Sequence, residues 1–503
     1  MINKLLLVPM VIGLGACTVG PDFQSPDTDL PSQWQTDVSA SMAPDQAAID
    51  GQWWEKLGDP QLIALVQRAQ EKSFDAQSAF VNLEKSRALL QVARADRLPQ
   101  VDMVGGYQSA RSSHNGLVDP SGLGGQAPYE KWSAAADASW EVDLWGRVRR
   151  IVEGAQAQLQ LTQAQRDGVL LSVSAETASN YIRLRGVQTK IKVLISNLEI
   201  AERTSSLTQN RFDNGVTTNL DTANASAQVE AVRANLPQLK AEQERLINAL
   251  SFLVGAAPRA LGEELHSPRA IPNPAPDAPV GLPSDLARRR PDIRASEAEL
   301  HKATAAIGVA EADFYPRVTI GASAGFEALT GGDLGDWGSR QWSVGPTFYL
   351  PIFQGGRLTA QLAIRKREQQ VAAIDYQRTV MRAWHEVDDA MTAYAAEKER
   401  HESLNKEVLH NTTALRAAEE RYRQGAIDYL NVLSVQRALL ASQNDLADSA
   451  VGAALERVKL YKALGGSWST PDEGLASRMK DMGRATLALG APHPQLTQSS
   501  AQH

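Results

Sequence analysis

The sequence has one cysteine, few aromatic residues and no excess of basic charge, and each shortage excludes a class of protein. Because Cys17 is alone, no disulfide can form within the chain. Aromatic residues make up only 6% of a chain rich in alanine and glutamine, which favours long helices with small residues at their contacts. The net charge is −7, whereas nucleic-acid-binding proteins are usually basic. We therefore expect no nucleic-acid partner.

Residues that would build a catalytic or metal site are also missing. None of the eight histidines forms a His-x-x-x-His pair. Ser403 and Lys406 have the spacing of a nucleophile and its base, but they lie in a charged helical stretch without the partner motifs. We expect neither an enzyme nor a bound metal or other cofactor.

A long apolar run is missing as well, because no stretch of about 18 apolar residues follows residue 17. Residues 1–16 have the pattern of a signal peptide, with Lys4 ahead of an apolar stretch. The sequence Leu-Gly-Ala-Cys at 14–17 resembles a bacterial lipobox. That resemblance implies cleavage before Cys17 and acylation of the new N-terminus, palmitate included, and Thr18 favours sorting to the outer membrane. The alternative is a free cysteine after an ordinary signal peptide.

What the chain does contain is an internal duplication. RFDNGVTTNL at 211–220 matches RYRQGAIDYL at 421–430, and Gly215 and Gly425 are 210 residues apart. Upstream the interval becomes 217, as between Pro99 and Pro316, so a loop absorbs the difference. Further pairs at the interval of 210 are Gly146/Gly356, Arg147/Arg357, Glu176/Glu386, Leu236/Leu446 and Gly255/Gly465. A register held over most of both halves indicates one structural unit used twice.

Each half is predicted to contain a helix, a β-hairpin and a long helical hairpin. The hydrophobic period changes from about 3.6 to 2 and back again, which indicates helix, then strands, then helix. Gly215 and Gly425 are expected at the hairpin tips, because glycine tolerates the left-handed conformation at a helix end. Pro237 is expected to kink the first return helix. The expected helices are 60–98, 147–211 and 218–254 in half one and 284–315, 357–421 and 428–464 in half two.

The predicted division of the chain follows from these elements. The first repeat carries a β-hairpin at about 100–143 and the second carries one at about 317–350. The segments are a signal peptide at 1–16, a lipidated arm at 17–60, a first repeat at 61–255, a proline-rich linker at 256–283, a second repeat at 284–465 and a polar tail at 466–503.

The predicted strands leave two interpretations open. Strands of about ten residues with alternating apolar side chains suit a membrane β-barrel, and they equally suit a soluble hairpin packed on one face. If they lie in a membrane, the edges of a four-stranded sheet leave backbone N–H and C=O groups without hydrogen-bond partners in lipid. Several copies must then share one barrel. Amphipathic helices could then pack side by side into a tube, which together with the barrel would make a conduit.

Short segments spread over residues 17–465 carry a family resemblance. They are CTVGPDF (17–23), WW (53–54), GDPQL (58–62), RRPDI (289–293), IGVA (307–310), FYP (314–316) and GAIDYL (425–430). Together they resemble the TolC-like outer-membrane factor family, in particular its lipoprotein branch. The resemblance implies an α+β membrane protein, a homotrimer whose twelve-stranded barrel continues into a long α-helical barrel in the periplasm. It also implies the exit duct of a tripartite efflux system for small toxic molecules, completed by a periplasmic adaptor and an inner-membrane transporter of the RND type.

The same resemblance implies a gate just after the tip turns, where Leu430 and Arg437 match family positions. The positions at which the family often has acids are the neutral Asn431 and Ser434. In the first half, Asp221 follows the turn and is expected to hydrogen-bond Tyr422. We expect a ring of three Leu430 side chains, with Asp221–Tyr422 contacts, to close the periplasmic end, and the tips at Gly215 and Gly425 to dock the adaptor.

Two other functions remain open at this point. A soluble periplasmic coiled-coil scaffold would share the long helices, although an adaptor with one helical hairpin would not show the duplication. The same fold could also export protein in place of small molecules.

Overall fold

The computed structural model describes residues 18–26, 52–116, 121–122, 125, 127–272 and 289–466. The predicted signal peptide, Cys17, much of the linker and almost all of the C-terminal tail lie outside these ranges. The described residues form two compact units. The sheet unit comprises those within Met1–Pro26, Leu83–Thr162 and Ala295–Gln377, and the hairpin unit comprises those within Asp27–Asn82, Gln163–Arg294 and Arg378–His503.

The sheet unit contains one antiparallel sheet of four strands in sequence order. The strands are β1 (Gln100–Ala110), β2 (Tyr129–Val142), β3 (Arg317–Ala328) and β4 (Arg340–Tyr349). Two strands come from each half, and β2 pairs with β3 across the duplication, with Trp140 opposite Ile320. The sheet therefore joins the two repeats and leaves β1 and β4 as its edges.

The edge strands expose apolar side chains at alternate positions. Val101 and Met103 on β1 are exposed, as are Trp342, Val344 and Phe348 on β4. Alternation places such residues on one face of a strand. Exposed apolar surface of this extent needs lipid or another protein to cover it.

Eight helices account for most of the remaining described residues. They are α1 (Pro60–Lys72), α2 (Phe74–Ala95), α3 (Arg147–Asp213), α4 (Asn219–Leu253), α5 (Gly262–Leu265), α6 (Pro291–Ala312), α7 (Arg357–Arg423) and α8 (Tyr429–Ala463). At 67 residues each, α3 and α7 are about 100 Å long at the usual rise of an α-helix. Within the described ranges, no helix combines the length and apolarity that crossing a bilayer requires.

One helix prediction needs correction, because the helix expected over 60–98 is two helices. Ser73 adopts an extended conformation between α1 and α2. Its Oγ accepts a hydrogen bond from the Ala76 backbone N–H at 3.2 Å, so the side chain starts a new helix. Pro237 lies inside α4 without ending it, and the kink expected there stays a prediction.

In the hairpin unit, residues 163–213 of α3 form hairpin 1 with α4, and residues 378–423 of α7 form hairpin 2 with α8. Helix α3 lies along α8, closely enough that a Cβ added to Gly186 would be 2.2 Å from a methyl carbon of Val451. Nearer the tips, the Asn197 amide donates to Gln443 at 2.7 Å. The core therefore joins the outgoing helix of one hairpin to the returning helix of the other.

Candidate functional site

The two hairpins end in turns with the same backbone geometry. Gly215 has φ +72° and Gly425 has φ +73°, both in the left-handed region that favours glycine. The backbone N–H of Val216 donates to the Arg211 carbonyl at 2.8 Å, and that of Ala426 donates to the Arg421 carbonyl at 2.8 Å. These are Schellman-type endings, which satisfy carbonyls that a helix leaves unpaired. We call residues 211–221 tip 1 and residues 421–431 tip 2.

Tip 1 is held by a local capping box at the start of α4. Thr218 Oγ1 accepts from the Asp221 N–H, while an Asp221 oxygen accepts from the Thr218 N–H. The Thr217 hydroxyl also donates to Asp221 Oδ2 at 2.5 Å. The hydrogen bond from Thr217, joined by those from Thr218, lowers the pKa of Asp221 although partial burial opposes it. At neutral pH the Asp221 carboxylate is therefore charged, and it accepts hydrogen bonds from Thr217 and Thr218.

Tip 2 is held by burial. Tyr422 and Tyr429 are each only 2% exposed, and their rings meet edge to face with centroids 6.0 Å apart. The Tyr422 hydroxyl lies 3.2 Å from Thr208 Oγ1 on α3. Burial raises the pKa of Tyr429 to about 12. Asp428, at the N-cap of α8, makes no side-chain capping bond.

These contacts correct the expected Asp221–Tyr422 hydrogen bond. Within the chain, Asp221 reaches back to Thr217 and Thr218, while Tyr422 pairs with Thr208. The reason is positional, since Asp221 is the third residue of α4 and can close a capping box with its own helix.

The remaining predicted gate residues lie on one exposed stretch of α8. Leu430, Ser434 and Arg437 follow a spacing of four and then three, which places them on one helix face. Leu430 is 53% exposed. Arg437 Nε donates to Gln228 Oε1 on α4 at 3.0 Å, and Ser434 Oγ donates to the Asn431 carbonyl at 2.8 Å. Of these residues, Leu430 is apolar, Asn431 and Ser434 are polar and neutral, and Arg437 is charged and also contacts hairpin 1.

Sequence reasoning missed two residues at the tips. The Arg211 guanidinium lies over the Tyr422 ring, 4.7 Å from its centroid, and donates to the Tyr422 carbonyl at 2.6 Å. Leu220 is 65% exposed and precedes Asp221 as Leu430 precedes Asn431. The interval of 210 residues, which pairs Leu220 with Leu430, was the available signal.

The N-terminal arm at Thr18–Pro26 lies on the sheet unit directly after Cys17. The Val19 N–H donates to the Trp145 carbonyl at 3.0 Å. Arg150, which is almost fully buried, donates to the Gly20 carbonyl at 3.1 Å and to Asp22 Oδ1 at 2.7 Å. A Cβ added to Gly146 would be 2.5 Å from Thr18 Cγ2. The arm therefore starts beside the connection between β2 and α3.

Among the described residues, no group of three or more histidine, cysteine, aspartate or glutamate side chains could hold a metal ion.

Comparison with known proteins agrees with this arrangement. The family model described as "Outer membrane efflux protein" matches residues 65–256 and 282–466, well over half of the chain. The chain is 31% identical over 460 residues to the toluene efflux pump outer membrane protein TtgC of Pseudomonas putida, covering 90% of this chain and 93% of that protein. The identity and both coverages are the same for the antibiotic efflux pump outer membrane protein ArpC of Pseudomonas putida.

A solved structure gives the same result at the level of the fold. The outer-membrane channel OprN is 34% identical, with a TM-score of 0.84 over 90% of this chain and 100% of that one. The chain therefore belongs to the outer membrane efflux protein family.

Proposed function

We propose that three copies of this chain form the outer-membrane exit channel of an efflux pump. The observation that carries the proposal is a four-stranded sheet with two open edges and exposed apolar side chains. Lipid cannot satisfy backbone groups at an open edge, so sheets from several copies must close into one barrel. Three sheets of four strands supply twelve, more than the roughly eight strands with which known barrels begin. The long helical hairpins would continue the barrel through the periplasm.

The partners follow from the role as an exit channel. The turns at Gly215 and Gly425 are exposed and shaped alike, so a periplasmic adaptor can bind both with one kind of surface. The adaptor would connect the channel to an inner-membrane transporter of the RND type. TtgC and ArpC are named for toluene and antibiotic efflux, which supports small toxic molecules as the cargo.

The gate is proposed at the start of the returning helices. Leu430 is exposed, and its helix is held by the buried Tyr422–Tyr429 pair. A ring of three Leu430 side chains would narrow the opening, and Asn431 and Ser434 would leave it without the acidic lining common in the family. Arg437 stays near the ring through its bond to Gln228.

Lipid attachment is proposed at Cys17, which directly precedes Thr18, the first described residue of the N-terminal arm. Because Thr18 lies beside the connection between β2 and α3, an acyl chain on Cys17 would start near the strands that are proposed to cross the membrane. Several acyl chains bind a membrane firmly, whereas one binds it weakly. Mass spectrometry of the mature chain should find palmitate on Cys17 and none in Cys17→Ala.

The decisive experiment is single-channel recording of the purified protein in planar bilayers. The wild-type chain should be trimeric in detergent and conduct ions. Leu430→Ala should raise the conductance by widening the ring, and Tyr422→Phe should raise it less, since only the bond to Thr208 is lost. A monomeric, water-soluble product that never conducts would overturn the proposal.

A further inference from the structure

The N-terminal arm contacts both repeats within the sheet unit. The Val19 N–H donates to the Trp145 carbonyl at 3.0 Å, just before α3 begins in the first repeat. Phe23 stacks on His301 of α6 in the second repeat, with ring centroids 4.3 Å apart and planes 14° apart. Because β2 leads into α3 and α6 leads into β3, the arm lies across the place where the two repeats meet below the sheet.

Arg150 on α3 fastens the arm with a fork of hydrogen bonds. Its Nε donates to the Val19 carbonyl at 3.3 Å, and one terminal nitrogen donates to the Gly20 carbonyl at 3.1 Å and to Asp22 Oδ1 at 2.7 Å. The other terminal nitrogen donates to Glu153 Oε2 on the same helix at 2.7 Å. The Arg150 side chain is only 4% exposed, and a buried charge is costly unless it is paired and hydrogen-bonded. Three of its four acceptors come from the arm, so the arm completes the environment of this guanidinium.

Two glycines let the arm approach α6 closely. A Cβ added to Gly20, which has φ +88°, would be 2.4 Å from Gly308 Cα on α6. A Cβ added to Gly308 would be 2.8 Å from Arg150 Cγ. Backbone, glycine and arginine stem are therefore packed against one another, and a side chain at either glycine would push the arm away from the guanidinium.

The duplication did not keep this dock in the second repeat. At the interval of 210 residues, the counterpart of Arg150 is Ala360 and that of Gly146 is Gly356. A Cβ added to Gly146 would be 2.5 Å from Thr18 Cγ2, whereas one added to Gly356 would meet no atom within 4 Å. Alanine has no side-chain donor. The dock is therefore a feature of the first repeat and of Arg150 in particular.

We infer that Arg150 is the positioning residue of the lipid anchor. The inference rests on the proposed acylation of Cys17 and names what fixes its place. With the arm fastened, the Cα of Cys17 lies about 3.8 Å from that of Thr18. An arm held no nearer than the buried Trp53 would let Cys17 reach on the order of 100 Å, at 3.3–3.6 Å per extended residue. The Arg150 fork thus makes the acyl chains enter the membrane beside the connection between β2 and α3.

Brief chymotrypsin digestion of the intact acylated channel tests the fastening, because Phe23 is a cleavage site within the docked arm. Cleavage after Phe23, identified by a new N-terminus at Gln24, should be about tenfold faster in Arg150→Ala than in wild type, since three hydrogen bonds to the arm are lost. Arg149→Ala is the matched control, because Arg149 donates to Asp143 and Leu144 and should leave the arm protected. Equal cleavage rates in Arg150→Ala and wild type would overturn the inference.

The same digest separates this inference from the proposed lipidation. The released fragment 17–23 carries Cys17, so its mass reports acylation independently of how fast it is cut. A fragment without acyl groups would reject the lipid anchor, while faster cutting in Arg150→Ala would still show what holds the arm. An acylated fragment released equally fast from both proteins would reject the role of Arg150 and leave the anchor in place.

Hydrogen exchange distinguishes positioning of the arm from general stabilisation of the fold. In Arg150→Ala, exchange should accelerate at residues 18–26 while native mass and single-channel conductance stay as in wild type. Arg150→Lys keeps the charge without the fork of donors and should protect the arm only partly. Acceleration that extends equally through β2, α3 and α6 would show a structural role and overturn the inference.

Gly20→Ala gives a second test that leaves Arg150 in place. The added methyl group would clash with Gly308 and hold the arm away from the fork, so residues 18–26 should again exchange faster and be cut faster after Phe23. Gln24→Ala is the control within the arm, because Gln24 is exposed. An arm as protected in Gly20→Ala as in Gln24→Ala would contradict the close packing on which the dock depends.

Discussion

Tip 1 and tip 2 share one backbone turn and are stabilised in different ways. Both endings have a glycine with positive φ and the same 2.8 Å bond back across the turn. Tip 1 then depends on its own Thr218–Asp221 capping box, whereas tip 2 depends on Tyr422 and Tyr429 buried against hairpin 1. The duplicated chain has kept the geometry that glycine permits while its side-chain contacts have diverged.

The largest difference between the tips should appear when a buried ring is removed. Tyr429→Ala should cost about 3–5 kcal/mol of local stability, the usual cost of deleting a buried aromatic side chain. Asn219→Ala, the matched change in tip 1, should cost within about 0.5 kcal/mol because Asn219 is exposed. Amide hydrogen exchange of both tips in the intact channel measures this, and equal losses would contradict it.

Replacing the turn glycines should affect both tips alike. Gly215→Val and Gly425→Val should each cost about 1–3 kcal/mol, since a β-branched residue is strained at positive φ. Asparagine at either position should cost less, because it tolerates the left-handed region. Hydrogen exchange of the flanking helix ends is the measurement. A loss confined to one tip would show that the two turns are not equivalent.

Removing the capping box should affect tip 1 alone. Asp221→Ala should cost about 1 kcal/mol, the usual magnitude for a lost helix cap. Asn431→Ala is the matched control in tip 2, where no side-chain cap is present at the N-cap residue. Exchange rates at the start of α4 and α8 compare the two, and faster exchange in α8 alone would argue against the assignment.

The stability of tip 1 should also depend on pH. The pKa of Asp221 is lowered in the folded chain, chiefly by the hydrogen bond from Thr217. Its contribution is therefore present above the unfolded pKa of about 3.9 and is lost as pH falls through the lower folded value. Between about pH 6 and pH 3, corrected exchange at tip 1 should accelerate in wild type more than in Asp221→Ala. Parallel profiles for the two proteins would count against this linkage.

The smallest effect on stability should come from the exposed leucines. Leu220→Ala and Leu430→Ala should each change stability by about 0.5 kcal/mol or less, since both side chains are more than half exposed. If both leucines line the opening, each change should still raise single-channel conductance. A rise for Leu430→Ala alone would restrict the gate to tip 2.

Much of the fold could be predicted because its signals are local and long. The strands at 100–110 and 340–349 and the hairpins that turn at Gly215 and Gly425 follow from hydrophobic period and glycine position. Ser73 shows where this reasoning stops. A single serine can continue a helix or cap a new one, and the choice depends on packing that a hydrophobic pattern does not record.

The candidate site was less predictable, since its contacts join residues far apart in the chain. Asp221 has several possible hydrogen-bond partners near the turn. Only the structure shows that the Thr217 and Thr218 hydroxyls donate to its carboxylate. Arg211 and Tyr422 are separated by more than two hundred residues, so their contact leaves no local pattern.

By itself, the amino-acid order determined the duplication, the helical and strand segments and the turn glycines, because each rests on spacing and on which residues tolerate positive φ. Only the tertiary structure decided that β2 pairs with β3, that Tyr422 bonds Thr208 and that hairpin 1 covers one side of hairpin 2. Those choices depend on which surfaces come into contact in the folded chain. The hydrophobic pattern of the sequence is compatible with many other pairings of the same strands and helices.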